Sequence, residues 1–304
     1  MKIIAFVLAG GQGCRLHPLT AEHAKPALPF VDGYRIVDFV LGNLINSEIT
    51  SIYVLAQYKP RSLIEHVRST WSPALERAGG FVSVVLPGSG SDDATFLGTA
   101  DAVRKSLHLC TLHAPDAVAV FAADHVYRMD VRQMAEAHMR NAAQVSVAAV
   151  LVPLERASAF GIIRAEAGGR VRDFEEKPAR PAPIAERPGH AYASMGNYLF
   201  DAPVLCALLE QAARRNETDF GRHVLPRAIR GHRVFAYDFA TNRVPGTRPH
   251  EEPGYWRDVG TIEAYRAAQR DASGPQPKFN LANEAWPIRG AAHEAAVRAA
   301  VHIA

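Results

Sequence analysis

The sequence predicts an α/β protein built on a Rossmann-like, doubly wound sheet that is mixed but mostly parallel. Three observations carry this expectation. The strand-like runs are apolar throughout, as in AVAVFAAD (Ala117–Asp124), instead of alternating with polar residues. Helix-like segments separate them. The first run, Ile3 to Ala9, stops abruptly at Gly10-Gly11-Gln12-Gly13. Uniformly apolar strands are buried on both faces, and helices between them supply the cover.

Taken in order, Ile3–Ala9 reads as a buried strand. The glycines after it let backbone approach a ligand closely, and their N–H groups can point at phosphate oxygens. Arg15 and Lys25 follow as cations able to neutralise what those groups hold, a combination suited to a nucleoside triphosphate. Ser51–Gln57 is a second strand, with a helix expected from Pro60 to about Thr70. Phe81–Pro87 is a third. Gly98-Thr99 opens a helix through TADAVRKSLHL, with Thr99 as its N-cap. Ala117–Asp124 is a central strand, Val131–Asn141 a helix and Gln144–Val152 a strand.

After about residue 155 the pattern changes. Short strands are expected near Gly161–Ala165, Val171–Glu175 and Tyr192–Phe200. Helices follow at Ala202–Arg214 and Phe220–Ile229, then a strand at His232–Phe239 and a helix at Thr261–Arg270. The proline-rich stretch Ala179–His190 and Thr241–Gly254 read as loops. The Ala-rich residues after Gly290 read as a helical tail.

Composition narrows the function classes. At 304 residues the chain can bury a large core, and 48% hydrophobic with 21% charged residues is ordinary for a globular protein. A net charge of +3 is too mild to argue for nucleic acid or an anionic membrane. Cys14, Cys110 and Cys206 lack metal-type spacing and read as reduced thiols. Met1-Lys2 before an apolar run has the outline of a signal peptide, but cleavage near Gly10 or Gly13 would destroy the glycine loop. No stretch is long enough to span a membrane, so a cytoplasmic protein is expected.

The chemistry-bearing residues are spread along the chain. The glycine loop is neither a Walker A loop, for want of GxxxxGK with Ser or Thr, nor a dinucleotide fingerprint, for want of a third glycine. Alone, GGxG is equally well explained by a tight turn with no ligand. Asp124 stands just past a central strand, the rim where open α/β sheets bind ligands. A carboxylate there suits Mg²⁺, which prefers hard oxygens and substrate phosphates; a helix cap is the plainer role, better filled by Asp130. In FEEKP, Lys177 lies beside two carboxylates and offers a point charge for a phosphate, or a solvated charge cluster. In YWRDVGT, Asp258 sits among aromatic and apolar neighbours, so it is either paired, with Arg257 for instance, or bound to a metal. No Ser–His–Asp arrangement is evident.

The N-terminal string, through Gly11, Gly13, Arg15, Leu16, Pro18, Leu19, Thr20, Lys25, Pro26, Pro29 and Phe30, resembles the signature of sugar-nucleotide pyrophosphorylases. The segments GGQGCRL, AKPALPF, YRIVDFVLGNLINSEI, GTADAV, ADHVY, AFGII, FEEKP, ASMGNYLF, DFGRHVLP, YWRDVGTIEAY and WPIRG, from residue 3 to about 290, resemble the bacterial glucose-1-phosphate adenylyltransferase family. The resemblance implies the nucleotide-diphospho-sugar transferase type of fold. It implies a catalytic domain over 1–290, with 1–155 the nucleotide-binding half and 156–290 the sugar-phosphate half, leaving 291–304 as tail. It implies that ADP-glucose and pyrophosphate are made from ATP and glucose 1-phosphate, with Mg²⁺, in glycogen or α-glucan biosynthesis.

Residue roles follow by the same resemblance. Leu8, Ala9, Gly10, Gly11, Gly13, Gly98 and Thr99 would contact the nucleotide, with Asp101 on the first turn of that helix. Arg15, Lys25 and Asp124 would be catalytic, and Asp124 and Asp258 would hold Mg²⁺. Gly161, Glu176, Lys177, Ser194 and Tyr198 would bind the sugar phosphate. Neither nucleic acid nor membrane is an expected partner, and a homo-oligomer is among the expectations.

The chain departs from the family at Cys14, where Thr is usual, at Leu97, where a polar or basic residue is common, and at Ala123, where Gly is common. Relatives usually carry a left-handed β-helix domain after the WPIR segment, where this sequence has 291–304. In the family, the allosteric sites involve that domain and residues before the glycine loop, and the domain helps build the usual tetramer. Other readings are the same reaction with another base or sugar, a non-catalytic sugar-nucleotide-binding paralogue, and a dinucleotide-dependent oxidoreductase, which fails on the missing glycine.

Overall fold

The computed structural model describes residues 1–88, 95–185 and 187–289. The expected tail, 291–304, lies outside the described residues, as does Gly290. In chain order the elements are β1 (Ile3–Leu8), α1 (Ile36–Asn46), β2 (Ser51–Leu55), α2 (Arg61–His66), α3 (Ser72–Arg77) and β3 (Phe81–Val85). Then come α4 (Thr99–Lys105), α5 (His108–His113), β4 (Ala117–Ala122), β5 (His125–Tyr127), α6 (Val131–Arg140) and β6 (Val145–Pro153). They are followed by β7 (Gly161–Ala165), β8 (Val171–Glu176), β9 (His190–Asp201), α7 (Ala202–Ala213), α8 (Leu225–Gly231), β10 (Val234–Asp238), β11 (Trp256–Asp258) and α9 (Ile262–Asp271).

The α/β expectation holds. The central sheet is mixed, with strand order β10-β6-β9-β4-β1-β2-β3. β2 runs parallel to β3 and β10 to β6, while β9 lies antiparallel between β4 and β6. The burial that the apolar runs predicted is seen: Ile4 to Val7 and Ala117 to Phe121 have no exposed surface.

Several boundaries differ from expectation, each for a local reason. The helix expected to stop near Thr70 continues to Arg77 through a π-helical turn, Val67–Trp71. There the Ser72 N–H reaches back to the Val67 carbonyl, and Pro73 enters as the second residue of α3. The helix expected at Phe220 likewise starts with a π turn, Phe220–Val224. Gly98, not Thr99, is the cap position of α4. α1 was quoted above only as a motif. It is buried on nearly every side from Ile36 to Leu44, so it shows no polar face to read.

By packing, the chain divides into two compact units that interleave in sequence. One comprises Met1–Phe6, Gly90–Phe121 and Arg132–Asn242; the other comprises Val7–Ser89, Ala122–Val131 and Arg243–Ala304. The second unit owns a core in which Leu16, Leu28, Phe30, Phe39, Val126, Tyr255, Val259, Tyr265 and Phe279 pack together. Phe30 meets Phe39 edge-on at 5.2 Å, and Tyr255 meets Phe279 at 4.9 Å. This core lies under the segments that carry the glycine loop, Lys25 and the β5–β11 pair, and so fixes their backbones.

Candidate active site

In the second unit, β1 ends at Leu8 and the chain turns. The Ala9 N–H donates to the Leu55 carbonyl at 2.9 Å, which ties the turn to β2. At Gly11 a Cβ would meet nothing within 4 Å, so this side of the loop is open. Gly13 has φ +65°, and a Cβ there would stand 2.9 Å from Thr20 Cγ2. Both the left-handed backbone and the contact require glycine. The Thr20 hydroxyl donates to the Gly13 carbonyl at 3.0 Å and closes the loop on itself. Cys14 is exposed, its thiol 3.4 Å from Gln12 Oε1.

Lys25 follows in a short 3-10 turn, buried together with Pro26 and Ala27. Its Nζ lies 2.9 Å from Asp124 Oδ2 and 3.5 Å from Asp258 Oδ1. Asp258 is delivered by β11, which pairs antiparallel with β5 in the register Asp258↔His125. Asp124 is the residue just before β5. The two carboxylates therefore converge through a three-residue strand pair that sequence periodicity does not reveal. Burial alone would push the Asp124 carboxyl up. The Lys25 ammonium and His125, with the hydrogen bond from Lys25, overrule it and hold the group well below the usual carboxylate range.

His125 completes the cluster and was not expected from the sequence. One ligand atom each from Asp124, His125 and Asp258 lie within 4.8 Å of one another. Two carboxylate oxygens side by side, facing a cation, are a donor set that fits a hard divalent ion. Arg257, considered above as the partner of Asp258, instead pairs with Glu252 and Asp271. Gly260 was also missed. A Cβ there would lie 2.8 Å from Asp258 Oδ2 and 2.9 Å from Arg15 Nη2, so Arg15 and Asp258 both reach over the same bare Cα.

The other unit gathers the second group of expected residues. Gly161 opens β7 opposite Glu176 of β8. A Cβ on Gly161 would be 2.9 Å from Glu176 Oε2, and one on Gly221 would be 2.4 Å from the same oxygen. The Glu176 carboxylate thus rests on two glycines, of which Gly221 was not anticipated. Lys177 has φ +50°, and its Nζ lies 3.2 Å from Glu176 Oε1. Ser194 and Tyr198 face one way because their β6 partners are Ala149 and Val147, two apart, across a bulge at Gly196 (φ +73°). Burial pushes the Tyr198 phenol up, so it stays a neutral donor.

Gly98 and Thr99 belong to this unit too. A Cβ on Gly98 would sit 2.4 Å from the Thr218 carbonyl. That carbonyl also accepts the Ala100 and Asp101 N–H groups, so the first amides of α4 are engaged. The Thr99 hydroxyl donates to Asp219 at 3.2 Å and accepts from the Phe220 N–H. Asp101 is buried, and burial favours its neutral form. The Leu97 N–H, Arg104 and Lys105 outweigh that and keep its carboxyl low.

One constellation that the sequence did not suggest does form. His138 Nδ1 lies 2.8 Å from Ser146 Oγ, and Nε2 lies 3.2 Å from Asp201 Oδ1. Ser146 is only 3% exposed. No substrate reaches that hydroxyl, and the trio staples α6 to β6 and to the end of β9.

Residues 4–273 match the nucleotidyl transferase family. Among curated relatives, the glucose-1-phosphate adenylyltransferase of Thermodesulfovibrio yellowstonii is 50% identical over 294 residues, covering 96% of this chain and 72% of that protein. The enzyme of the same name from Thermus thermophilus is 46% identical over 304 residues, with the same two coverages. Glucose-1-phosphate adenylyltransferase 1 of Vibrio cholerae is 40% identical over 290 residues, covering 94% of this chain and 70% of that protein.

Proposed function

The chain belongs to the nucleotidyl transferase family, on its glucose-1-phosphate adenylyltransferase branch, and we propose that it forms ADP-glucose and pyrophosphate from ATP and glucose 1-phosphate. A phosphate oxygen of the sugar phosphate attacks the α-phosphorus of ATP in line. The bond to the bridging oxygen breaks, and its electrons leave with pyrophosphate. Both reactants are anions, so the main tasks of the protein are alignment and charge neutralisation.

One observation carries this reading: Lys25, Asp124 and Asp258 meet within 2.9 and 3.5 Å despite their separation in sequence. Amides of Gly10, Gly11 and Gly13 take the phosphate oxygens, beside Leu8 and Ala9. Arg15 and Lys25 neutralise the triphosphate and the departing pyrophosphate. Asp124 and Asp258 are the residues that would hold Mg²⁺. When bound there, Mg²⁺ supplies Lewis acidity and a template for phosphate oxygens.

Glu176 accepts hydrogen bonds from sugar hydroxyls, Lys177 pairs with the sugar phosphate, and Ser194 and Tyr198 orient the ring over Gly161. Gly98 and Thr99 lie by the nucleotide. In sequence terms 1–155 is then the nucleotide-binding half and 156–290 the sugar-phosphate half. A cytoplasmic role in glycogen or α-glucan synthesis, as a homo-oligomer, belongs to the same reading. Sedimentation velocity tests the oligomer.

A pyrophosphate-release assay over several nucleotides and sugar phosphates, with and without Mg²⁺, tests the whole. ATP with glucose 1-phosphate is expected to be the preferred pair and to require the ion. Preference for UTP or dTTP overturns the base assignment. Binding without release under every pairing overturns the enzymatic reading in favour of a sugar-nucleotide sensor.

A further inference from the structure

We propose that Thr99 is a positioning residue for the sugar-phosphate side: its hydroxyl pins the turn 219–221, against which the Glu176 carboxylate and the Tyr198 ring pack. The inference rests on the reading of Glu176 and Tyr198 as sugar-phosphate residues. It assigns the Thr99 hydroxyl to the sugar side of the reaction, not to the nucleotide.

The hydroxyl is engaged both as donor and as acceptor. It donates to Asp219 Oδ2 at 3.2 Å and accepts the Phe220 N–H at 3.0 Å, 120 and 121 positions away along the chain. The other oxygen of the same carboxylate, Asp219 Oδ1, accepts the Arg222 N–H at 2.9 Å. Backbone contacts run alongside. The Thr218 carbonyl accepts the Ala100 N–H at 2.8 Å and the Asp101 N–H at 3.2 Å. The start of α4 is therefore bonded to residues 218–220, and the hydroxyl and these two amides are taken by protein partners.

The pinned turn backs the sugar-side groups. Phe220 is 1% exposed, and its ring lies 5.8 Å from that of Tyr198 and 5.7 Å from that of Phe200. Gly221 comes next, so near Glu176 that a Cβ on it would stand 2.4 Å from Oε2. Burial pushes the Tyr198 phenol up, and the Glu176 and Asp219 carboxylates add to that push, so both charges are felt at the ring. Without the Thr99 hydroxyl, the Phe220 N–H and an Asp219 oxygen lose a partner together. An unmet N–H on a nearly fully buried residue is costly, so the turn shifts to find another acceptor. Phe220 and Gly221 move with it, and Glu176 and Tyr198 lose their backing. A displacement of about an ångström at groups that align a reactant is enough to weaken their action.

Two variants separate the hydroxyl from the bulk of the side chain. Thr99→Val keeps the shape and deletes both hydrogen bonds. Thr99→Ser keeps the hydroxyl. The assay is steady-state pyrophosphate release with each substrate varied in turn. Thr99→Val is expected to raise KM for glucose 1-phosphate about tenfold, the loss of one hydrogen bond to a charged group. KM for ATP is expected to stay near the parental value. Thr99→Ser is expected to recover most of the loss. A variant that only destabilised the fold would lower the amount of active enzyme and leave both KM values unchanged.

A parental KM for glucose 1-phosphate in Thr99→Val overturns the inference alone. So does a rise in KM for ATP that equals or exceeds the rise for the sugar phosphate, which would return the hydroxyl to the nucleotide. A parent protein that releases no pyrophosphate under any pairing overturns the functional reading, and the inference with it. A second measurement does not depend on activity. Hydrogen exchange at the Phe220 amide, followed by nuclear magnetic resonance, reports whether that N–H is held. It is expected to be protected in the parent and in Thr99→Ser and to lose protection in Thr99→Val. An unprotected Phe220 amide in the parent overturns the proposal whether or not either variant folds.

Discussion

Lys25 Nζ stands 2.9 Å from Asp124 Oδ2, although 99 positions separate the two residues. The contact joins a strap laid over the aromatic core to the residue just before β5. Lys25 is 7% exposed, so its charge acts in a medium less screening than water. On the proposed mechanism the same ammonium faces the triphosphate once substrate enters.

Replacing either partner should therefore damage turnover more than binding. Asp124→Asn and Lys25→Met are each expected to lower kcat by about 100-fold or more, the size seen when one preorganised electrostatic contact is removed. Steady-state pyrophosphate release checks this, and a fall confined to KM would contradict it. In Lys25→Met the Asp124 carboxyl also loses its principal counter-charge, so its pKa should rise. Carboxyl carbon-13 shifts followed against pH report that rise.

Gly260 makes a second, more local demand. A methyl group there would crowd Asp258 Oδ2 at 2.8 Å and Arg15 Nη2 at 2.9 Å. Its backbone is not among the left-handed glycines, so alanine is tolerated by the main chain. Gly260→Ala should fold normally yet lose about 100-fold in kcat/KM, because an ångström of misplacement at reacting groups costs about that much. Near-parental stability with low activity is the expected pair of results. Unchanged activity would remove Arg15 and Asp258 from the site.

These pairings show which parts of the molecule were legible from residues alone. The glycine loop could be read because Gly13 needs its left-handed backbone and the strand before it is apolar from end to end. Asp124 could be read because it stands just past a buried strand. His125 could not, since a histidine beside a hydrophobic run is as readily a packed core residue. β5 and β11, three residues each, are too short to show any period, and their register is a tertiary fact. The helix α1 was missed for the opposite reason, being buried all round. Gly221 reads as one glycine among many until the Glu176 carboxylate is seen 2.4 Å from where its Cβ would be.

That glycine yields a prediction for the sugar side. Gly221→Ala must displace the Glu176 carboxylate, and Gly161→Ala must displace Phe174 as well, whose ring carbon would be 2.3 Å away. On the proposed roles, Gly221→Ala raises KM for glucose 1-phosphate at least about tenfold, the loss of one or more hydrogen bonds to a charged group. KM for ATP should stay near the parental value. Equal rises in both would place Glu176 outside the sugar subsite.

A buried carboxylate elsewhere in the second unit sets a test of stability. Asp38 has no exposed surface and accepts from His66 Nε2 at 2.5 Å, Trp71 Nε1 at 2.6 Å and the Arg35 N–H at 2.7 Å. It joins the start of α1 to the α2–α3 segment, while the Arg35 side chain donates to the Ala27 carbonyl two residues from Lys25. Asp38→Leu leaves those donors buried and unmet, and should destabilise the protein by about 3–5 kcal/mol. Urea unfolding measures this directly.

Asp101 supplies the pH dependence. Burial raises its carboxyl, but the Leu97 N–H, Arg104 and Lys105 together bring it below the ordinary value. A group depressed in the folded state stabilises fully above its unfolded pKa, about 3.9 for aspartate, and loses that contribution as pH falls through the folded value. The stability that Asp101 provides is therefore present at neutral pH and drains away below about pH 4. Asp101→Asn should be less stable than the parent at pH 7, with the gap closing as acid is added. Urea midpoints taken at both ends of that range check the sign. A gap that widens in acid would mean that the carboxylate is held by something other than its cationic neighbours and the Leu97 amide.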